Sequence, residues 1–139
     1  MSSDFSTIAA TRLHLKQVRK SLLRLHKALL DSERSLYERA NGPIRSSGEF
    51  LQLVIGHEWF SWLRPMSQFI IQIDESLSAE EPITLEQAKE LLATAHHLLR
   101  SSEEGSPSEQ RYDNAIQRDP DVAFLHFELS ALLANPPAT

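Results

Sequence analysis

An unbroken helical pattern over residues 4–40 constrains this chain more than any other feature. The stretch contains neither proline nor glycine, and its apolar residues recur at heptad spacing. Asn41-Gly42-Pro43 then supplies a left-handed cap and a stop. At about 1.5 Å per residue, we predict a first helix of roughly 55 Å, longer than any later element. Its seam consists of Leu15, Val18, Leu22, Leu25, Leu29 and Leu36, with Ser32 in register.

The most apolar stretch, residues 57–75, contains both tryptophans. Its apolar side chains recur every three or four residues and leave only a narrow polar edge, which predicts a central helix over 57–77 covered on several sides. Pro65 lies inside this pattern, so we expect a kink or a fresh start there. The apolar residues are Trp59, Trp62, Met66, Phe69 and Ile73, widened by Phe60, Leu63, Ile70 and Ile71.

Four further segments complete the predicted fold. Residues 49–55 form a short helix or, by composition alone, a strand. The capping box Thr84-Leu-Glu-Gln87 opens a helix that ends near residue 100, and Ser106-Pro107 and Asp119-Pro120 open two more. The sequence therefore predicts one all-α domain over residues 1–139. We expect an antiparallel, four-helix-bundle-like arrangement with a long N-terminal helix and two short extra helices.

The predicted first helix is too long for its neighbours. The other long helices have about 20 residues, or roughly 30 Å. The excess half of the first helix must therefore lie against short pieces, protrude, or find another subunit. Because an uncovered apolar seam is a sign of association, we expect a homodimer.

Charge is distributed unevenly along the chain. The net charge is −5, yet residues 5–30 contain six basic side chains and no acidic one. We expect this basic face to dock on the acidic remainder, within the subunit or across the dimer; an acidic protein partner is the alternative. Nucleic acid is disfavoured, because the helix lacks the aromatic side chains on which bases stack. The six residues are Arg12, Lys16, Arg19, Lys20, Arg24 and Lys27.

Four residues in and around the central helix are candidates for binding a small ligand: Trp59, Trp62, Arg64 and Asp74. Arg64 stands in the most apolar stretch. Its guanidinium should reach solvent, pair with Asp74, Asp119 or Asp121, or face a pocket beside the tryptophans where it could take an anionic ligand. Asp74 should pair with an arginine on another helix.

Metal and catalytic motifs are missing. No histidine has a carboxylate or a second histidine three or four residues away, the spacing by which one helix face presents two ligands. The chain has no cysteine, no Gly-x-Ser-x-Gly turn and no grouped glycines. We predict no catalytic residue, no metal site and no cofactor. Spacing neither supports nor excludes a metal site assembled from His26, Glu33, His57, Glu58, Asp74 and His126.

Three parts of the chain resemble an uncharacterised group of small bacterial all-helical proteins. They are residues 25–34 (LHKALLDSER), 59–67 (WFSWLRPMS) continuing to 73–75, and 117–122 (QRDPDV). The resemblance covers roughly residues 22–133 and implies a helical fold in a bacterial cytoplasm, without implying an activity. A cytoplasmic location also fits an N-terminus without a secretion-signal pattern and a chain without an apolar run of about 18 residues.

These features together favour a non-enzymatic helical-bundle protein that acts through protein–protein association, as a homodimer. The alternative is a helical bundle that binds a small ligand or a metal.

Overall fold

The computed structural model describes residues 2–100 and 104–135, with side chains from residue 7 onward. These residues form six α-helices and one 3-10 helix and contain no strand, which confirms the all-helical prediction. The predicted connection at 103–106 begins outside the described residues. In chain order the elements are α1 (Ser2–Asn41), α2 (Ser47–Gly56), the 3-10 helix (Glu58–Leu63), α3 (Arg64–Ser78), α4 (Leu85–Leu98), α5 (Pro107–Arg118) and α6 (Pro120–Ala134).

The first helix has the predicted length and stop. It runs for 40 residues and ends before Gly42, whose φ of +88° lies in the left-handed region that glycine adopts without steric cost. The N–H of Gly42 donates to the carbonyl of Glu38 at 2.9 Å. The Glu38 carboxylate accepts the N–H of Ile44, also at 2.9 Å, which fixes the direction in which the chain leaves α1.

The later helices begin at local caps. Thr84, Ser106 and Asp119 accept the first backbone N–H groups of α4, α5 and α6, as the sequence predicts. Residues 49–55 lie within α2, so the helical prediction for this segment is confirmed. Ser46 caps α2 by accepting the N–H of Glu49.

The predicted central helix is two elements. The 3-10 helix ends at Leu63, and α3 starts afresh with Pro65 in its first turn, where the missing proline N–H breaks no helical hydrogen bond. Ile71 is 53% exposed, so the prediction that it widens the apolar face is wrong. At 100° per residue Ile71 points away from the buried side of α3, which consists of Met66, Phe69, Ile70 and Ile73.

The first helix lies at the centre of the contacts. It contacts the 3-10 helix and α3, α4, α5 and α6. Along α1, Glu33 binds Trp59 while Arg19 binds Asp74, so α3 runs antiparallel to α1. Likewise Glu33 binds Arg118, just before α6, while Arg24 binds Glu128, so α6 is also antiparallel. The seam residues Leu15, Val18, Leu22, Leu25 and Leu29 are completely buried.

The prediction that part of the α1 seam would be left for another subunit is wrong. Burial on α1 extends to Ser32 and Glu33, which lie under the 3-10 helix and α5. The 3-10 helix runs directly into α3, whereas α5 crosses α1 at Glu33 and folds back on α6, where Tyr112 binds His126. Short elements therefore cover α1 as far as Glu33, and the last seam residue, Leu36, is half-buried. This covered part of the seam gives no support to a dimer.

None of the helices in the described ranges combines the length and apolar character needed to cross a bilayer.

Two neighbouring leucines of α1 test this burial. Leu22 is completely buried whereas Leu23 is 45% exposed. Leu22→Ala should lower the free energy of unfolding by about 2–5 kcal/mol, because it opens a cavity in the core. Leu23→Ala, the matched control, should lower it by less than about 1 kcal/mol. Urea unfolding followed by circular dichroism measures both, and equal losses would contradict the orientation of α1.

Candidate functional site

The most deeply buried charge in the described residues is the carboxylate of Glu33, whose side chain is 2% exposed. Three donors surround it. Trp59 Nε1 lies 2.9 Å and Arg111 Nη2 3.3 Å from Oε2, and Arg118 Nη2 lies 3.4 Å from Oε1. An ionised carboxylate is stable away from water only with partners of this kind.

These donors come from two short elements that local contacts fix in place. The N–H of Trp59 donates to Nδ1 of His57 at 3.0 Å, which starts the 3-10 helix. From α5, Arg111 also donates to the carbonyl of Trp59 at 3.1 Å, and Arg118 Nε donates to Ser32 Oγ at 3.2 Å. We call Ser32, Glu33, Trp59, Arg111 and Arg118 the Glu33 cluster.

The Glu33 cluster joins α1, the 3-10 helix and α5. Both carboxylate oxygens accept from cationic side chains, so Glu33 is not free to take a proton from a substrate. The arrangement is that of an anchor and not of a catalytic base. In the sequence, Glu33 stands out only as one of the metal alternatives, and nothing predicts its pairing with Arg111 and Arg118. The available signal is Ser32, a polar residue in the register of the apolar seam.

The four predicted ligand residues do not meet at one place. Trp59 belongs to the Glu33 cluster, and Trp62 packs on Tyr112 with ring centroids 6.4 Å apart. The two tryptophans share a neighbour, because the Arg111 guanidinium lies 5.5 Å from the Trp59 ring and 5.9 Å from the Trp62 ring. Arg64 and Asp74 bind elsewhere.

Arg64 closes the end of α2. Its Nη2 donates to the carbonyl of His57 at 3.0 Å and its Nε to that of Val54 at 3.4 Å. The predicted pairing of Arg64 with Asp74, Asp119 or Asp121 is therefore wrong. Free carbonyls at a helix C-terminus attract a cation, and those of α2 lie next to Arg64.

The arginines of the basic face bind within the chain. Arg19 forms an ion pair with Asp74, as predicted for that carboxylate, and Arg24 Nη1 lies 3.3 Å from Glu128 Oε1. Arg12 Nη2 donates to the carbonyl of Leu77 at the end of α3, at 3.1 Å.

The lysines of the same face form no ion pair within the described part of the chain. Lys16, Lys20 and Lys27 lie on the outward side of α1, and Leu23 shares their strip at helical spacing. We call these four residues the lysine strip. It is the part of the predicted basic face that remains available to another molecule.

The last helix is apolar on both sides. Its inner side, formed by Val122, Leu125, Leu129 and Leu133, lies in the core. On the outside, Phe124 and Phe127 are each 63% exposed. Phe124 lines a shallow cavity together with Arg24 and Lys27, so this outer side continues into the lysine strip. We call Phe124, Phe127 and Ala131 the α6 outer face.

Tyr112 and His126 join α5 to α6. The Tyr112 hydroxyl lies 2.6 Å from Nδ1 of His126. Burial raises the pKa of Tyr112 and lowers the pKa of His126. The phenol therefore keeps its proton and the imidazole is neutral, and the two groups share one hydrogen bond.

Within the described residues, no group of three or more histidine, aspartate or glutamate side chains lies close enough together to bind a metal ion. Three members of the metal set considered from sequence have separate partners. Glu33 binds arginines, Asp74 binds Arg19, and His126 binds Tyr112.

A cavity of about 190 Å³ opens beside Trp62, between the end of α4 and the start of α5. Its walls include the rings of Trp62 and Tyr112 and the side chain of Arg100. The indole nitrogen of Trp62 is buried and has no hydrogen-bond partner in the described part of the chain.

Comparisons of the chain with protein-family models, with curated proteins and with solved structures each find no match. Function is therefore inferred from the contacts and surfaces of this chain alone.

Removing the charge of Glu33 should destabilise the protein far more than removing that of Asp74. Glu33→Gln leaves two partly exposed arginines facing a buried amide and should cost about 2–3 kcal/mol of unfolding free energy. Asp74→Asn breaks a half-exposed ion pair and should cost about 1 kcal/mol or less. Urea unfolding measures both values. A loss for Glu33→Gln no larger than that for Asp74→Asn would contradict the anchoring role.

Mild acid should weaken the fold. Burial lowers the pKa of His14, His26 and His126 below 6.5, so the unfolded chain binds protons more readily than the folded one. Their contribution to stability is complete above pH 6.5 and is lost as the pH falls through the folded-state pKa values. Urea unfolding at fixed protein concentration, between about pH 7 and about pH 5.5, isolates this range from carboxylate titration near about pH 4.

The matched variant is His126→Asn, whose amide can donate to or accept from Tyr112 but does not titrate. Its unfolding free energy should depend less on pH over the same range. Identical pH profiles for the variant and the wild type would exclude a contribution from His126.

Proposed function

We propose that this chain is a non-enzymatic helical protein that acts through protein–protein association, and that its partner is a second copy of itself. The observation that carries the proposal is the α6 outer face. Phe124 and Phe127 are each 63% exposed on a helix whose other side fills the core. A helix that is apolar all round is normally covered on all sides.

We propose that an antiparallel four-helix bundle of α1, α3, α4 and α6 presents this face, with α2 and α5 as the two short extra helices. Support comes from the antiparallel directions of α3 and α6 relative to α1, and from the contacts of α4 with α1, α3 and α6. We also propose a cytoplasmic setting, as predicted from the sequence.

The arrangement of charge favours a second copy as the partner. Lys20 lies beside Leu132 in the C-terminal half of α6, whereas Asp121 lies in its first turn. In a two-fold contact centred on α6, the C-terminal half of one helix meets the N-terminal half of the other. Lys20 then approaches Asp121 of the partner subunit while the phenylalanines pack between the two helices. The surface is thus complementary to itself.

The predicted ligand set lends the alternative function little support, because Arg64 binds backbone carbonyls at the end of α2 and Asp74 binds Arg19. An acidic protein partner would bind the same lysine strip. If the wild-type chain is monomeric, binding of an acidic protein is the alternative to test.

Light scattering after size-exclusion chromatography tests the dimer. The wild type should have twice the chain mass of 15.8 kDa. Replacing Phe124 and Phe127 together by glutamate should weaken the dimer about a hundredfold or more, because each is expected to be a central contact. The variant should keep its helical circular dichroism spectrum, since both side chains are exposed.

The matched control is Ile71→Glu, which replaces an exposed apolar residue of α3, away from the α6 outer face. It should remain dimeric. A wild type that stays monomeric at every concentration, or a Phe124/Phe127 variant that stays dimeric, would refute this contact.

A further inference from the structure

The second helix, α2, is apolar but weakly held. Every residue of it is at least partly exposed, and the exposed fractions of Leu51 and Ile55 reach 58% and 66%. Its principal contact is with the 3-10 helix. A helix of ten residues is too short to be stable in water by itself, so α2 keeps its form only while it stays docked.

This helix covers apolar side chains of the 3-10 helix. Phe60 is completely buried, and its ring packs edge-on against that of Phe50 of α2, with the centroids 5.7 Å apart. A cavity of about 290 Å³ lies beside this contact, and its walls include Val54 and Ile55 of α2 together with Phe60 and Leu63. Displacement of α2 would therefore widen the cavity and bring Phe60 into contact with solvent.

One side chain of α3 holds the C-terminal end of α2. The Arg64 guanidinium donates both to the carbonyl of Val54 and to that of His57, where α2 ends. A forked guanidinium reaches two acceptors at once, which a single amide or ammonium does not do in the same geometry. Arg64 thus ties α2 to α3 without belonging to either of the elements that it joins at His57.

Glycines lie at both ends of α2, and the docked conformation requires neither. Among the described glycines only Gly42 has a positive φ, so Gly48 and Gly56 have ordinary backbone conformations. A Cβ atom on Gly48 would lie 3.9 Å from Ser46 Oγ, an ordinary contact, and one on Gly56 would meet open space. Because glycine lowers helix stability relative to alanine, what it adds here is backbone freedom, which a hinge uses.

We propose that α2 is a hinged lid on the 3-10 helix, with Arg64 as its latch and Gly48 and Gly56 as its hinges. The lid opens while the other helices stay folded, and it controls access to the apolar surface of Phe60 and Leu63. Elements that bury little apolar surface open at a smaller free energy than the core around them. The inference goes beyond the dimer and does not depend on it, because α2 and the α6 outer face share no residue.

Native-state hydrogen exchange of the full chain, followed by NMR, tests the lid. The amides of residues 51–57 should exchange through one shared opening, whose equilibrium constant is about a hundredfold or more larger than that for the Leu22 and Leu25 amides in α1. Exchange in α2 should not change with protein concentration. A failure of the proposed dimer would therefore leave this result unaffected.

Two arginine variants test the latch. Arg64→Gln removes bonds that exist only in the closed state and should increase the opening constant of α2 about tenfold. Arg45→Gln is the matched control, because this exposed arginine precedes α2 and its side chain forms no ion pair within the described residues. Its opening constant should equal that of the wild type.

A core variant separates opening of the lid from unfolding of the whole chain. Leu15 is completely buried in the first half of α1 and stays buried when the lid opens. Leu15→Ala should therefore increase the opening constants of the α1 amides about thirtyfold or more and leave that of α2 unchanged. Gly56→Ala, which narrows the set of open conformations, should lower the opening constant of α2 about twofold to fivefold.

Three results would overturn the proposal. The first is that the α2 amides exchange with the same opening constant as those of α1. The second is that Leu15→Ala increases both constants equally, since α2 would then open only on global unfolding. The third is that Arg64→Gln leaves exchange in α2 as it is in the wild type.

Discussion

Everything in this fold depends on covering one long helix with shorter ones. A helix of 40 residues carries a continuous apolar side, and burying that side is the main source of stability that such a chain has. No single later helix is long enough to cover it. The chain covers it with α4, α6, the 3-10 helix that runs into α3, and α5, which crosses α1 at Glu33 and folds back on α6. Prolines in the first turns start α3, α5 and α6.

The short elements on α1 must also have their positions fixed. The 3-10 helix buries Phe60 and Leu63 and α5 buries Tyr112 and Ala115, and the Glu33 cluster adds directional bonds to this apolar contact. Glu33 binds Trp59 from one element and Arg111 and Arg118 from the other. A buried ion pair adds little net stability compared with an apolar contact, but it tolerates few alternative arrangements. We infer that Glu33 specifies where the short elements lie on α1.

Sequence reasoning succeeded where the determining contacts are local. The caps at Thr84, Ser106 and Asp119 and the stop at Gly42 depend on residues within four positions, so the sequence contains all the information they need. The pairing of Arg19 with Asp74 was only partly predictable, since the need of Asp74 for a cation was visible but its partner was not.

Which side chains pair across the fold could not be predicted from the sequence, for physical reasons. Arg64 had several possible carboxylates, and the carbonyls of α2 were closer. The link from Glu33 to Arg111 spans 78 residues, and no sequence spacing encodes it. The expectation of an uncovered seam failed in the same way, because the crossing of α5 over α1 at Glu33 is set by side chains distant in sequence.

The arginines of α1 form contacts within the chain, and its lysines form no ion pair in the described residues. Arg12, Arg19 and Arg24 bind carbonyl or carboxylate oxygens of α3 and α6, a task for which the forked guanidinium is well shaped. The lysines, compact and strongly hydrated, stay outside. Three of the six side chains of the basic face thus bind within the chain, and only the lysine strip is left for a partner. Because that strip continues into the exposed phenylalanines of α6, the remaining charge is available to orient a contact whose affinity comes from apolar surface.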